Sequence, residues 1–356
     1  MKIVIDARMW NETGIGRYIR NLVLGLEKID TSNEYYLLLK NNEFNSLNLN
    51  ANFHKVLADF GWYTITEQIN LYKILTKLKP DLYHSPNINY SFFYSGKKVV
   101  TIHDLIMLKK FENESFKRLF KRIVLKVFLR LFLNHNNKIL TVSNYVKKQV
   151  NEILNVDNSK IQVIYNCINN NQVLLSDLDN EREDYLLYVG NTYGHKNVEF
   201  LVNSILEIKR RLVIVGKEDD SIRNLKKNVL DKGLENYIIF EGYVDDQRLA
   251  ELYSKAFAYV FPTLDEGFGL PGLEAMSYKC PVVCSDIPIL REIYKESALF
   301  FKVNNVEDLK QKLEKLDDTN VREQQIKIGL RVLENYDCKG FVEETFRVYQ
   351  KLCSYN

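Results

Sequence analysis

Cysteine and proline are scarce in this chain, and long apolar runs are absent. Its 356 residues include five cysteines and six prolines. The odd cysteine count and the lack of a C-x-x-C pair argue against a disulfide framework or a zinc knuckle and favour a reducing compartment. No run of about 18 uncharged apolar residues occurs, so no helix is expected to span a bilayer. The first apolar run meets Asp6 too soon for a signal peptide.

A strong net charge is also missing. The formal charge is only +3, which gives no global reason to expect nucleic-acid binding. Apolar residues make up 46% of the chain, enough for two packed cores, and no low-complexity stretch interrupts them. The length favours two domains over one.

Short apolar runs alternate with longer amphipathic stretches along the whole chain, as in "KIVID" (2–6) and "RLVIVG" (211–216). This alternation predicts an α/β protein with two doubly wound, Rossmann-like domains, each built on a parallel sheet. We place the domains at 1–170 and 183–337. A carboxyl-terminal helix at 338–356 could stay on the second domain or return to the first. The cleft between the domains is the expected site.

The stretch "DEGFGLPGLEAM" (265–276) places two acids, Glu266 and Glu274, eight positions apart. Pro271 suits the first turn of a helix, and we expect Glu274 in that same turn, where the helix dipole favours an acid. Glycines let backbone amides approach an anion, and the acids can accept hydrogen bonds from hydroxyls. A nucleoside-diphosphate sugar has both features. The alternative is a glycine-rich turn with capping acids.

A second glycine motif, "TGIGRY" (13–18), follows the first strand and opens a helix. Gly14 and Gly16 could present amides to a phosphate, with Arg17 assisting. A dinucleotide fingerprint would need a third glycine where Ile19 stands. The alternatives are a tight strand-to-helix turn and a surface arginine.

Lys196 in "GHKN" is expected at a helix start, where the dipole disfavours a cation. Binding of a diphosphate there would offset that cost, and the alternative is a solvated lysine. His103 ends a predicted buried strand and should face the crevice, or else be a satisfied core histidine. Ser143 is either a crevice residue or the N-cap of the next helix.

The motif "EGFGLPGLEA" (266–275) resembles the E-x7-E motif of retaining glycosyltransferases of family 4, which have the GT-B fold. Further stretches resemble its O-antigen mannosyltransferase-like branch, namely "IDARMWNETGIGRYIRNLV" (5–23), "VVTIHDL" (99–105), "LTVSNYVKK" (140–148) and "LLYVGNTYGHKNVEFLV" (186–202).

The resemblance implies a role for each motif residue. Glu266 would contact the donor-sugar hydroxyls, Glu274 the ribose diol, Lys196 the diphosphate and His103 the hexose. His195 stands where related enzymes have an arginine. The remaining implied donor contacts are Gly14, Gly16, Asn191, Tyr243, Val244, Gly267, Phe268, Gly269 and Leu270.

The predicted activity is therefore transfer of a hexosyl group, with mannose from GDP-mannose favoured, to a hydroxyl of a lipid-linked glycan in surface polysaccharide or O-antigen assembly. The resemblance implies retention of configuration, with no metal and no cofactor. One alternative is a UDP-hexose or UDP-N-acetylhexosamine transferase, and another is a non-catalytic nucleotide-sugar binder. A nucleotide-sugar epimerase or dehydrogenase would need a complete G-x-G-x-x-G and a Tyr-x-x-x-Lys pair, and neither is visible.

The segment 116–138 holds seven cations and no acid among crowded apolar residues. Such a helix could lie on an anionic membrane surface, or it could be a domain helix with a solvated basic face. The first alternative predicts a cytoplasmic protein bound peripherally to the inner face of the cell membrane.

Overall fold

A computed structural model describes residues 1–109, 116–133, 137–168 and 182–354. The chain divides into two compact units, Met1–Cys167 with Asp337–Asn356, and Ile168–Tyr336. Each unit holds one parallel sheet with helices, which confirms the predicted α/β class. The predicted linker, 169–184, lies almost wholly outside the described residues. Within the described ranges, no helix is both long and apolar enough to cross a bilayer.

The first unit has a seven-stranded sheet in the order β3-β2-β1-β4-β5-β6-β7. The strands are β1 (Lys2–Asp6), β2 (Glu34–Leu39), β3 (Phe53–Leu57), β4 (Leu82–Ser85), β5 (Lys98–Ile102), β6 (Asn137–Thr141) and β7 (Ile161–Val163). The helices, numbered along the whole chain, are α1 (Gly14–Ile29), α2 (Asn41–Ser46), α3 (Ile65–Leu78), α4 (Phe116–Leu133), α5 (Asn144–Leu154) and α13 (Cys338–Ser354).

The second unit has a six-stranded sheet in the order β10-β9-β8-β11-β12-β13. The strands are β8 (Tyr185–Val189), β9 (Arg211–Val215), β10 (Ile238–Gly242), β11 (Ala258–Phe261), β12 (Val282–Ser285) and β13 (Ala298–Phe301). The helices are α6 (Val198–Ile208), α7 (Asp220–Asp231), α8 (Asp246–Lys255), α9 (Leu270–Ser277), α10 (Pro288–Tyr294), α11 (Val306–Lys315) and α12 (Thr319–Leu333).

The central strands are apolar along their length because helices cover both faces of each sheet. Every residue of β5 and β11 is buried. The edge strand β3 differs, since its burial alternates with exposure along "FHKVL". That strand is absent from the sequence prediction because a half-exposed edge strand lacks the continuous apolar run on which the prediction depended.

The carboxyl-terminal helix α13 belongs to the first unit and packs on α1. A side chain at Gly25 of α1 would collide with Val342 of α13, so glycine lets the two helices approach closely. The buried Tyr349 hydroxyl meets Nδ1 of His84 at 2.5 Å, joining α13 to β4. The sequence had left the destination of this helix open.

Cysteine usage argued against disulfides, but Cys167 and Cys338 are bonded, with their Cα atoms 4.8 Å apart. The two cysteines are 171 positions apart in the chain, so no spacing pattern could indicate the pair. They meet because α13 returns to the first unit. The number of cysteines therefore no longer supports the expectation of a reducing compartment. The other three cysteines, Cys280, Cys284 and Cys353, are free.

Candidate functional site

In the second unit, the predicted site residues follow neighbouring strands at a reversal of strand order. The sheet runs from β8 to β9 on one side and from β8 to β11 on the other. Doubly wound sheets bind ligands beyond the carboxyl ends of their strands at such a reversal. Lys196 follows β8 and Glu266 follows β11, so the topology brings both residues to this place.

Lys196 ends a short 3₁₀ turn, Gly194–Lys196, just ahead of α6. The carbonyl oxygen of His195 accepts hydrogen bonds from the Leu264 amide at 2.8 Å and from the Thr263 hydroxyl at 3.0 Å. These bonds join the turn after β8 to the loop after β11. The backbone of His195 thus has a structural role, while the predicted contact of its side chain with a ligand stays a prediction.

Lys196 and Glu266 form a direct ion pair between Nζ and Oε1. Their side chains are 16% and 12% exposed, so the pair is enclosed but still open to solvent. The Lys196 ammonium also lies 5.5 Å from the centre of the Phe261 ring, within cation–π range. This pairing was not predicted, and it offsets the cost of a cation near the start of α6. It places a cation and a carboxylate side by side.

Two buried tyrosines, Tyr188 and Tyr294, feel the charge of Glu266 and act as hydrogen-bond donors. Burial, and then the nearby charge of Glu266, raise the pKa of Tyr188 well above its ordinary value. Burial raises the pKa of Tyr294 in the same way. Both hydroxyls therefore stay protonated: Tyr188 donates to the Asn191 carbonyl and Tyr294 to the Gly269 carbonyl, each at 2.5 Å. These bonds hold the loops after β8 and β11.

Helix α9 begins directly after Gly269, whose φ of +96° lies in the left-handed region that favours glycine. A Cβ there would also lie 2.7 Å from the Tyr294 hydroxyl. Pro271 lies in the first turn, as predicted. Glu274 does not: it is buried on α9, beyond the first turn. The expected dipole stabilisation of Glu274 was wrong, because the helix starts at Leu270 and the effect fades past the first turn.

Three other residues of the motif, Gly267, Phe268 and Leu270, lie in the loop or at the start of α9. The Phe268 ring is buried and meets the Tyr336 ring edge-on at 5.5 Å, so the side chain belongs to the core of the unit. Only its backbone remains for the predicted ligand contact. Gly267 precedes it in the loop, and Leu270 is half-buried at the start of α9.

Asn191, Tyr243 and Val244 follow other strands of the same sheet edge. The buried Oδ1 of Asn191, after β8, has no hydrogen-bond partner among the described residues. Tyr243 follows β10 at the edge of the sheet and is 83% exposed, with the half-buried Val244 beside it. The Tyr243 ring is therefore available to a ligand, whereas the Asn191 oxygen is enclosed by the protein.

In the first unit, α1 starts at Gly14 in the glycine motif. Within the described chain, nothing lies within 4 Å of a Cβ placed on Gly14, whereas one on Gly16 would lie 2.5 Å from the Trp10 carbonyl oxygen. Packing against that backbone explains the glycine at 16 without a ligand. Gly14 leaves open space at the helix start, and Arg17 is half-buried on the first turn.

His103 follows β5 and is held as a neutral ring. Its Nε2 lies 3.0 Å from the Pro86 carbonyl oxygen, which assigns the proton to Nε2. Burial lowers the pKa of His103 to about 4. Tyr18 packs edge-on against the ring at 4.9 Å. At neutral pH, His103 therefore offers Nδ1 as a hydrogen-bond acceptor.

Ser143 has the structural role that the sequence left as an alternative. Its Oγ accepts a hydrogen bond from the Val146 amide at 3.1 Å and caps α5. Asp104 acts similarly after β5, where its carboxylate accepts from the Ile106 amide at 3.0 Å. Both side chains order the segments that follow their strands.

An acid–arginine–acid cluster in the first unit was not predicted. Arg8 donates from Nε and Nη2 to Asp6 at 2.8 and 2.7 Å, and from Nη2 to Glu67 at 2.7 Å. All three side chains are buried. The stretch "DAR" (6–8), which begins at the last residue of β1, was a visible signal for Asp6 and Arg8. Glu67 lies 59 positions further on, and no local pattern connects it to Arg8.

Two sequence families match the chain, one on each half. "Glycosyltransferase Family 4" matches residues 13–172, and "Glycosyl transferases group 1" matches residues 176–331. The chain belongs to the family 4 glycosyltransferases. The resemblance carried by the E-x7-E motif is thereby confirmed.

Among similar proteins, the "O-antigen chain mannosyltransferase RfbU" of Salmonella typhimurium is 33% identical to this glycosyltransferase over 205 residues. The match covers 57% of this chain and 56% of that protein, so the chain spans little more than half of that relative. The "O-antigen chain mannosyltransferase B" of Escherichia coli is 27% identical over 298 residues, covering 78% and 76% of the two chains.

A similar solved structure is that of Anabaena HepE in complex with UDP and glucose. It aligns with a TM-score of 0.75 at 15% identity and covers 99% of this chain and 100% of that one. At this identity the likeness shows the fold alone. The glycosyltransferase has the GT-B fold, as the sequence predicted.

Proposed function

We propose that this glycosyltransferase moves a hexosyl group, with mannose favoured, from a nucleoside-diphosphate sugar to a hydroxyl of a glycan acceptor in O-antigen or other surface polysaccharide assembly. The observation that carries the proposal is the Lys196–Glu266 pair at the strand reversal of the second sheet. The names of the Salmonella and Escherichia relatives support mannose and an O-antigen chain.

Each part of the donor has a matching group in the second unit. The diphosphate takes hydrogen bonds from the amides at the start of α9 and from Lys196. Glu266 accepts from the hexose hydroxyls and Glu274 from the ribose. Tyr243, being exposed, can stack on the base. The complex of HepE with UDP and glucose supports a nucleotide-sugar donor in this fold.

In the proposed reaction, the bond from the anomeric carbon to the diphosphate breaks and a bond to the acceptor oxygen forms. Negative charge grows on the departing diphosphate, where the Lys196 ammonium and the helix amides stabilise it without a metal. Attack on the leaving-group side retains the configuration, and the acceptor proton passes to the departing phosphate oxygen. Glu266 orients the hexose and forms no covalent bond. Neutral His103 accepts a hydrogen bond from a substrate hydroxyl at Nδ1.

We further propose that α4 rests on an anionic membrane and brings the enzyme to a lipid-linked acceptor at the cytoplasmic face. Its inner side buries Leu129 and Leu133. Its outer side exposes an apolar stripe, 50–62% accessible, beside the exposed Lys121 and Lys126; the stripe is Phe120, Ile123, Val124, Val127 and Leu131. A solvated basic face would not carry this stripe, which therefore favours the membrane alternative. Of the predicted segment, 134–136 lies outside the described residues.

Vesicle co-sedimentation tests the membrane part. The enzyme should sediment with anionic vesicles and stay in the supernatant with neutral ones. The double variant Lys121→Glu, Lys126→Glu should no longer sediment with anionic vesicles. The matched control is Lys226→Glu with Lys227→Glu on α7. Equal binding to both kinds of vesicle, or no effect of the α4 changes, would contradict the proposal.

Calorimetric titration tests the donor. We expect GDP-mannose to bind more tightly than UDP-glucose and UDP-N-acetylglucosamine. In a separate transfer assay, we expect label from GDP-mannose to appear in the glycan acceptor. Lys196→Met should weaken binding of GDP by about 10- to 100-fold, the range for a hydrogen bond to a charged group. Lys226→Met, at a surface lysine of the same unit, is the control. Preference for a UDP-sugar would favour the alternative transferase, and binding without transfer would favour a non-catalytic protein.

A further inference from the structure

The first sheet has its own reversal of strand order, and a small indentation lies there. β1 lies between β2 and β4, and residues at the carboxyl ends of β1 and β4 line a space that opens to solvent and has room for about one water molecule. We call it the β1–β4 indentation. Its polar and aromatic lining includes Asp6, Arg8, Trp62, Asn87 and Asn89.

Arg8 has one donor group left over in this indentation. Its Nε and Nη2 are taken by Asp6 and Glu67, and its guanidinium lies 4.7 Å over the Phe60 ring. The remaining nitrogen, Nη1, is buried and has no hydrogen-bond partner among the described residues. A buried donor without a partner is costly, so an acceptor atom from outside the chain would stabilise it.

Trp62 presents a second donor of the same kind. Its Nε1 is also buried and without a hydrogen-bond partner in the described ranges. The Lys40 ammonium lies 3.5 Å from the centre of its ring. An indole beside two unsatisfied N–H donors suits a sugar, whose hydroxyl oxygens accept hydrogen bonds and whose C–H face packs on aromatic rings.

The charges around the indentation select an uncharged ligand. Asp6 and Glu67 formally balance the two cations, Arg8 and Lys40, so no net positive charge attracts an anion. Asn89 donates twice to Glu67 at 2.8 Å, which helps to satisfy that buried carboxylate. Phosphate or a uronic acid would meet two carboxylates here, whereas a neutral hydroxyl would meet two free donors.

We propose that the β1–β4 indentation binds an uncharged sugar residue of the glycan acceptor through hydrogen bonds from Arg8 Nη1 and Trp62 Nε1. The deep part holds a group the size of one water molecule, so one hydroxyl enters while the sugar ring stays at the mouth. This inference rests on the proposed glycosyl transfer and names the chemical class of its acceptor.

Tryptophan fluorescence tests binding without any transfer reaction. The chain has two tryptophans, Trp10 and Trp62, so Trp10→Phe leaves Trp62 as the only reporter. We expect methyl α-mannopyranoside to change the Trp62 emission saturably, and methyl glucuronide to bind at least tenfold more weakly. Trp62→Phe, the matched variant, should show no saturable change. Equal responses to both glycosides, or a response only in Trp62→Phe, would overturn the proposal.

Kinetics with octyl α-mannopyranoside as the acceptor gives the second measurement. Trp62→Phe keeps an aromatic ring and loses the Nε1 donor, so the acceptor KM should rise about five- to tenfold. The kcat, the donor KM and the Tm should stay unchanged. Trp10→Phe, at a buried core position, should leave the KM of the acceptor and that of the donor unchanged.

The two measurements separate this inference from the proposed function. Transfer with an unchanged acceptor KM and no fluorescence response means that the indentation holds only water, which overturns the inference and leaves the transferase intact. Saturable glycoside binding without transfer from any donor supports a sugar site and overturns the proposed function instead.

Discussion

The two units carry ion pairs at equivalent places, but the pairs differ in enclosure. In the first unit, the side chains of Arg8, Asp6 and Glu67 are only 1%, 7% and 0% exposed. In the second, Lys196 and Glu266 are 16% and 12% exposed. Desolvation makes a buried pair costly to break, whereas a partly exposed pair can exchange partners with a ligand. Ion pairs near a strand reversal therefore differ in enclosure, and we expect only the partly exposed pair, Lys196 with Glu266, to exchange partners with a ligand.

The groups that surround the two ion pairs also differ. The second unit places a positive-φ glycine and the start of α9 in the loop that carries Glu266, and we propose that this helix start faces an anion. The first unit supplies two unsatisfied side-chain donors next to two carboxylates. Under the two proposals, the site in the second unit binds a diphosphate and the site in the first unit binds a neutral hydroxyl.

The largest effect that could break this comparison is on stability. Arg8→Met should lower the free energy of unfolding by about 3–5 kcal/mol, because it leaves two buried carboxylates without their cation. Lys196→Met should cost less, because solvent reaches Glu266. Urea denaturation of both variants measures the difference. If Lys196→Met costs as much as Arg8→Met, enclosure does not distinguish the two pairs.

The next effect is on catalysis in the second unit. Glu266→Gln should reduce kcat by about 100- to 1000-fold, the range for a single preorganised group aimed at the reacting centre. Circular dichroism should show an unchanged fold. Glu251→Gln, a surface acid of the same unit paired with Arg248, is the control. Near-normal turnover of Glu266→Gln would remove this residue from the proposed mechanism.

The disulfide gives a redox-dependent effect confined to the first unit. Cys338→Ser should lower the free energy of unfolding by about 2–4 kcal/mol in oxidising buffer, because the bond restricts the unfolded chain. In reducing buffer, the variant and the parent protein should unfold alike. Cys353→Ser, at a free cysteine of the same helix, should behave like the parent in both buffers. A thiol titration showing Cys167 and Cys338 free in the parent would contradict the prediction.

At neutral pH, the smallest effect is on the titration of two buried histidines. Burial lowers the pKa of His84 to about 3 and that of His103 to about 4, from 6.5. Below pH 6.5 the two histidines are protonated in the unfolded chain but stay neutral in the folded protein. The free energy of unfolding should therefore fall as the pH drops from 6.5 towards 4. Between pH 7 and 8 neither ring should titrate. Ring C–H resonances, assigned with His84→Gln and His103→Gln, test this; a midpoint near 6.5 for either ring would contradict the burial argument.

Sequence patterns predicted those features that depend on neighbours in the chain. Continuous apolar runs identified largely buried strands, such as β1 and β9, and the glycines around Pro271 indicated a loop that opens a helix. The sequence patterns failed where the outcome depended on the first residue of a helix or on the position of a strand at the edge of a sheet. The start of α9 put Glu274 beyond the first turn, and the half-exposed β3 showed no apolar run.

By itself, the sequence determined the α/β class, the two parallel sheets and the membership in a glycosyltransferase family, because burial periodicity and a motif of ten residues are local properties. Only the tertiary structure decided which charges meet. Lys196 and Glu266 are 70 positions apart, Arg8 and Glu67 are 59, and the bonded cysteines are 171. Strand order brings such residues together, and strand order depends on the packing of whole units rather than on any short stretch of chain.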